Sequence, residues 1–166
     1  AESIEEARRL PKEAVDALLD AVDEFAASTG GTLDLLYNNA GIDAKGRFET
    51  MPWEKVVALV HVNLLGGMSL IHATVPLLKA TTGSLCLSTA SASAIFGTAD
   101  LAVYSATKHA VSGLTKTASL DGRKYDIAVG QIDIGNAGTE MAARMAKGVP
   151  QANGEIAIEP LMDVGI

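Results

Sequence analysis

The sequence has a single cysteine, Cys86, among its 166 residues, and only 4% of the residues are aromatic. One cysteine excludes an internal disulfide, and the chain does not open with the charged and then apolar stretch that directs secretion. Few aromatic residues argue against an aromatic-rich recognition surface, and a net charge of -7 argues against a nucleic-acid ligand. We therefore expect a cytoplasmic protein without a nucleic-acid partner.

The sequence pattern also gives no sign of a metal site or a membrane span. Its three histidines, His61, His72 and His109, are spread over two predicted helices without metal-ligand spacing, so we expect no metal. The longest apolar-rich stretch, residues 56–78, is interrupted by histidines, an asparagine and a proline. We interpret this stretch as a buried helix, and we expect no membrane association.

Hydrophobic residues make up 48% of the chain, which is enough for the packed core of one domain over residues 1–166. Apolar residues at helical spacing, together with short apolar runs between turn residues, predict alternating helices and strands. The predicted helices are 12–28, 53–79 (apolar nearly all round and hence buried on several sides) and 103–121, and the predicted strands are 33–37, 84–88 and 127–132.

This alternation predicts right-handed crossovers and a doubly wound parallel α/β sheet with helices on both faces. The strand at 33–37 is predicted to be buried because its run is continuously apolar around one aspartate. In such sheets ligands bind beyond the carboxyl ends of the strands, so the segments after Tyr37, Ser88 and Ile132 should line the site.

Tyr104 and Lys108 are four residues apart and therefore share one face of the third predicted helix. An ammonium group beside a phenol favours the phenolate and lowers the phenol pKa from about 10, which suits proton exchange at neutral pH. Alone, the Tyr-x-x-x-Lys spacing is more typical of a surface helix pair than of catalysis.

Three further features accompany this pair. Asn38-Asn39-Ala40-Gly41 follows the first predicted strand, Asn63 lies inside an apolar helix, and Ser91 precedes Tyr104 by thirteen residues. In this order and spacing, the residues resemble the markers of the short-chain dehydrogenase/reductase family, and the resemblance runs from about residue 14 to at least Met141.

The resemblance implies a Rossmann-like fold and an oxidoreductase that moves a hydride between NAD or NADP and a small carbonyl or alcohol substrate. Tyr104 would be the general acid/base, Lys108 would lower the pKa of Tyr104 and bind the nicotinamide ribose, and Ser91 would polarise the substrate carbonyl. Asn63 would hold a water that links Lys108 to solvent. The alternative for Asn63 is a core asparagine whose amide is satisfied by backbone.

The same resemblance implies that the loop Asn38, Asn39, Ala40 and Gly41 approaches the adenosine ribose of the cofactor, with Asn39 tying neighbouring strands together. A plain turn between strand and loop is the alternative.

Residues 133–141 resemble, in part, the family segment that contacts the nicotinamide carboxamide, although Ile134 stands where proline is usual. Gly135, Ala137 and Thr139 would make that contact. Residues 138–147 would then form a mobile helix over the substrate.

The glycine loop with which this family holds pyrophosphate is not found, since Gly30 and Gly31 precede a strand instead of following one. The last strand of the family is not found either, so the predicted fold is partial at both ends. Two function classes stay open: an NAD(P)-dependent oxidoreductase, favoured because all four catalytic positions are present, and a non-catalytic remnant that acts by association with another chain. The resemblance and the broad apolar faces of two helices imply a homodimer or homotetramer.

Overall fold

The computed structural model describes residues 2–137, 147–151 and 153–163, and the side chains from residue 13 onward. Helices and parallel strands alternate along most of this range, as predicted. The elements are α1 (Glu2–Thr29), β1 (Leu35–Asn38), α2 (Trp53–Val60), a π-helical turn (His61–Gly66), α3 (Gly67–Lys79), β2 (Ser84–Thr89), a 3-10 turn (Ala92–Ala94), α4 (Ala102–Gly122), a second 3-10 turn (Arg123–Tyr125), β3 (Ile127–Ile132), β4 (Val149–Pro150) and β5 (Ile156–Ala157).

Strands β1, β2 and β3 form one parallel sheet in that order, and β4 and β5 form a separate antiparallel hairpin. In the parallel sheet Leu36 pairs with Cys86, and Cys86 pairs with Val129. The predicted Rossmann-like α/β class is confirmed. The main difference in element bounds is α1, which begins at Glu2 and not at residue 12, because the first ten residues are mostly strong helix formers.

The core lies between one face of the sheet and two helices. Leu36, Cys86 and Ile127 of the strands pack with Leu78 of α3. Helix α4 covers β3 from the same side, where a Cβ on Gly122 would lie 2.8 Å from the carbonyl oxygen of Ile127. Only glycine permits that close approach.

The opposite face of the sheet is open among the described residues. Leu35 of β1 is 51% exposed and Tyr37 is 45% exposed, and Leu85 of β2 and Ile132 of β3 are also exposed. The prediction that β1 is buried was therefore wrong for two of its residues, and the described helices do not cover both faces. An apolar run shows that both faces of a strand suit burial, but it does not show which element covers each face.

The long apolar helix predicted from residue 53 to 79 is present, but a π-helical turn interrupts it and it is not buried on several sides. Trp53 is 68% exposed, and Val62, Leu65 and Met68 are exposed as well. By length and composition, Trp53–Lys79 is the one stretch of the described chain that qualifies as able to cross a membrane, a test that core helices of soluble proteins also pass.

Candidate active site

The segments that follow the three parallel strands meet at one edge of the sheet, as predicted. The amide of Ala90 donates to the carbonyl of Ile132 at 2.8 Å, which extends the β2–β3 pairing beyond the strands. The Thr89 hydroxyl donates to Oδ1 of Asn39 at 2.8 Å, so Asn39 ties the loop after β1 to β2. These bonds fix the loops on which the predicted site residues lie.

Ser91 and Tyr104 come together above the end of β2. Ser91 is buried at the start of a 3-10 turn, where its Oγ accepts a hydrogen bond from the amide of Ser93 at 3.2 Å. Tyr104 lies in the first turn of α4, half-buried, and the Ser91 side chain lies close enough to its phenol to act on its pKa. Burial raises the pKa of Tyr104, the nearby Ser91 hydroxyl lowers it, and the Asp43 carboxylate raises it, with a net rise.

Lys108 is 4% exposed, and its ammonium donates to the carbonyl of Thr89 at 2.9 Å. Burial lowers the pKa of Lys108 because the charged form loses hydration. The Lys108 Nζ lies 5.7 Å from the centroid of the Tyr104 ring. We expected Lys108 to lower the pKa of Tyr104. In this arrangement the ammonium is turned to the carbonyl of Thr89, and the pKa of Tyr104 is raised overall.

Asn63 is buried in the middle of the π-helical turn and holds the loop after β1 through both ends of its amide. Its Oδ1 accepts from the amide of Ile42 at 2.8 Å, and its Nδ2 donates to the carbonyl of Ile42 at 2.9 Å. Nδ2 also lies 3.3 Å from Oγ1 of Thr107, which in turn donates to the carbonyl of Tyr104. The side-chain amide of Asn63 is thus satisfied mainly by backbone, which was the alternative considered for this residue. Single π-helical turns inside α-helices occur frequently at functional sites.

Gly41 lies where these groups converge. A Cβ at Gly41 would be 3.5 Å from Oδ1 of Asn63 and 3.6 Å from Nζ of Lys108. A cavity of about 20 Å³ lies next to Asn63, and Asn38, Ser88 and Thr89 are among its lining residues. The side-chain amide of Asn38 is buried there without a hydrogen-bond partner in the described part of the chain.

The predicted nicotinamide loop is only partly described. Gly135 and Ala137 follow β3, with the amide of Ala137 donating to the carbonyl of Gly135 at 2.9 Å. Thr139 and the predicted helix over the substrate, except for residue 147, lie outside the described residues. The described part of this loop contacts the carboxyl-terminal segment, where the amide of Met162 donates to the carbonyl of Asn136 at 2.6 Å.

Sequence reasoning missed three residues of this region. Asp43 acts electrostatically on Tyr104, Thr107 joins Asn63 to α4, and Glu159 accepts a hydrogen bond from Asn136. The position of Thr107 inside Tyr-x-x-x-Lys could have drawn attention to it. Asp43 and Glu159 carry no local signal, because their roles depend on loops that meet only in the fold.

Metal ligands and the cysteine were the other groups considered for a chemical role. Within residues 2–137, 147–151 and 153–163, no cluster of three or more histidine, cysteine, aspartate or glutamate side chains could hold a metal ion. Cys86 is buried in β2, and burial raises the pKa of its thiol to about 11, so the thiol is neutral at physiological pH.

Comparison with known proteins gives consistent matches. A family model described as short chain dehydrogenase matches residues 11–149. Trans-4-hydroxycyclohexanecarboxylate dehydrogenase of Sinomonas cyclohexanicum is 36% identical over 131 residues, which are 79% of this chain and 48% of that protein. The chain spans about half the length of the curated relatives it matches.

Solved structures match the fold over most of the chain. A short chain dehydrogenase from Burkholderia cenocepacia J2315 in complex with NADP has a TM-score of 0.74 at 26% identity, covering 90% of this chain and 60% of that one. An NAD+-bound xylitol dehydrogenase has a TM-score of 0.71 at 28% identity, covering 75% of this chain and 48% of that one.

Proposed function

The chain belongs to the short-chain dehydrogenase/reductase family, and from that membership we propose that it forms the catalytic part of an oxidoreductase that uses NAD or NADP. Its substrate would be a small molecule with a carbonyl or secondary alcohol group, and Asn63, Ser91, Tyr104 and Lys108 would be the catalytic set. The observation that carries the proposal is the placement of Ser91 beside Tyr104, with the buried ammonium of Lys108 one helical turn further along α4.

Tyr104 exchanges a proton with the substrate oxygen. A phenol is protonated at neutral pH, and burial favours that form further by raising the pKa of Tyr104, so it can donate to a carbonyl oxygen as a hydride adds to the carbon. In the reverse direction the phenolate accepts the proton of an alcohol. The hydroxyl of Ser91 lowers the pKa of Tyr104, and at the same position it can hold the substrate oxygen.

The donor groups at this edge of the sheet fit the nicotinamide side of the cofactor. The ammonium of Lys108 has three N–H donors, of which the bond to Thr89 uses one, and the others suit ribose hydroxyls. Asn38 to Gly41 would face the adenosine ribose, and Gly135, Ala137 and Thr139 would face the carboxamide. The cofactor, when bound, supplies or accepts the hydride. Structures of similar proteins solved with NADP and with NAD+ support either choice.

Asn63 would serve the site by holding the loop at Ile42. Its amide is engaged with backbone, so a water that links Lys108 to solvent would have to be held nearby. The cavity beside Asn63 has room for about one water molecule, and Asn38 and Ser88 offer polar partners there. The proposal therefore includes a water in this cavity that links Lys108 to solvent and can relay a proton.

We further propose that residues 1–166 act as one domain of a cytoplasmic homodimer or homotetramer, without nucleic acid, metal or membrane. The exposed apolar side chains of the helix from Trp53 to Lys79 suit a contact with another copy. The non-catalytic remnant stays the alternative, and the open face of the sheet is the observation that favours it.

The test compares two serines that lie two residues apart in the same loop. NAD- and NADP-dependent turnover is measured at the nicotinamide absorbance band with a panel of ketones and secondary alcohols. Ser91→Ala should lower kcat by about 10²-fold, as loss of one donor to the reacting oxygen does. Ser93→Ala is the matched control, since Ser93 bonds only to Thr98 through its hydroxyl among the described contacts. We expect residues 1–166 alone to bind the cofactor weakly and not to turn over, so the assay uses the full enzyme. No turnover by the folded, unsubstituted full enzyme with any combination of cofactor and substrate would favour the remnant.

A further inference from the structure

The carboxyl-terminal segment contains a carboxylate that bonds to side chains of two different loops. Oε2 of Glu159 accepts a hydrogen bond from Nδ2 of Asn136 at 2.7 Å, and Oε1 accepts one from Nε2 of Gln151 at 3.2 Å. Asn136 belongs to the loop after β3, and Gln151 follows β4 in the hairpin. Hydrogen bonds to a charged acceptor are stronger than those between neutral groups.

Backbone bonds reinforce the same junction. The amide of Met162 donates to the carbonyl of Asn136, and Ala137 pairs with Met162 as an isolated parallel bridge. On its other side, the loop is joined to the loop of Ser91, because the amide of Ala92 donates to the carbonyl of Ile134 at 3.0 Å. The loop after β3 is therefore held between the catalytic serine loop and the segment that contains Glu159.

We propose that Glu159 is a positioning residue for the cofactor, which acts through Asn136 on the place of Gly135 and Ala137. This rests on the proposed function, since these two residues are proposed to face the nicotinamide carboxamide. Asn136 lies between them, and its side chain is fixed to Glu159 within the described structure. A shift of Asn136 therefore moves both neighbours away from the cofactor, while Ser91, Tyr104 and Lys108 keep their own contacts.

Three variants of the full protein test this step. In Glu159→Gln one of the two amides meets a donor instead of an acceptor, so the clamp that Glu159 forms between Asn136 and Gln151 is weakened without a large change of shape. Asn136→Ala removes the other partner, and the double variant tests whether the two act together. Glu155→Gln is the matched control: its carboxylate accepts from Asn153 at 3.0 Å in the same hairpin and no described bond joins it to the loop after β3.

We expect Glu159→Gln and Asn136→Ala each to raise the KM for the cofactor about tenfold, or about 1.4 kcal/mol, with kcat changed less than about twofold. The double variant should be no worse than either single one, and Glu155→Gln should match the parent. Without cofactor, hydrogen exchange of residues 132–137 should be faster in Glu159→Gln and unchanged in Glu155→Gln.

The outcomes separate the inference from the proposed function. An active parent enzyme with faster exchange in Glu159→Gln but an unchanged cofactor KM would overturn the positioning role alone. Unchanged exchange would overturn the clamp itself. A parent that binds neither NAD nor NADP would refute the proposed function, and the positioning role with it. Additive effects in the double variant would show that Glu159 does not act through Asn136.

Discussion

Replacement of Asn63 by leucine tests how the loop after β1 is held. Leucine has a similar size and no polar atoms, so the variant loses the bonds of 2.8 and 2.9 Å to Ile42 and the weaker bond of 3.3 Å to Thr107. Each good bond contributes about 1 kcal/mol net, and the partly buried amide and carbonyl of Ile42 lose their partner. We expect a loss of about 2–4 kcal/mol in the free energy of unfolding.

Urea denaturation of the parent and the variant measures this loss. Thr107→Val removes only the third bond from Asn63 together with a local bond to the Tyr104 carbonyl, and should cost about 1 kcal/mol. Asn153→Ala, at an exposed asparagine, should stay within about 0.5 kcal/mol of the parent. A loss below about 1 kcal/mol for Asn63→Leu would refute this role of the Asn63 amide, since it would mean that Ile42 is held by other contacts.

Lys108→Ala should weaken cofactor binding and lower kcat, whereas Lys116→Ala, at an exposed lysine of the same helix, should do neither; unchanged cofactor affinity in Lys108→Ala would exclude the ribose contact. The pKa of the Cys86 thiol is raised from 9.0 to about 11, so between these pH values the folded state keeps a proton that the unfolded state loses. The free energy of unfolding should therefore fall as the pH rises from about 9 toward 11. An equally steep fall in Cys86→Val would contradict this. Sedimentation at micromolar concentration should show no monomer, and a clean monomer peak would contradict self-association through the helix from Trp53 to Lys79.

Periodicity was enough to predict the order of the main helices and strands. The alternation of helical and strand patterns predicted α4 and β3 to within one residue of their observed ends. It could not predict the exposure of Leu35 and Tyr37, because exposure depends on which layers cover the sheet. The same reason applies to the helix that begins at Trp53. Apolar residues lie on nearly all of its sides, but the sequence does not show which of those sides another element covers.

The site was predicted from a resemblance in residue order, and the structure brings Ser91, Tyr104, Lys108 and Asn63 to one edge of the sheet. The electrostatic detail could not be predicted. The sequence places an ammonium four residues from a phenol, but the direction of the Lys108 side chain toward Thr89 depends on the loop after β2. The bond between Glu159 and Asn136 joins residues 23 apart in sequence, which no local pattern indicates.

In the proposed reaction, Tyr104 transfers the proton while the cofactor transfers the hydride. The direct test is turnover and cofactor affinity of Tyr104→Phe in the full enzyme, with Tyr125→Phe, in the 3-10 turn that follows α4, as the matched control. We predict that Tyr104→Phe lowers kcat by at least about 10²-fold and leaves the Kd for the cofactor within about twofold of the parent, while Tyr125→Phe retains full activity. Turnover of Tyr104→Phe at the parent rate would contradict the assignment of Tyr104 as the proton donor.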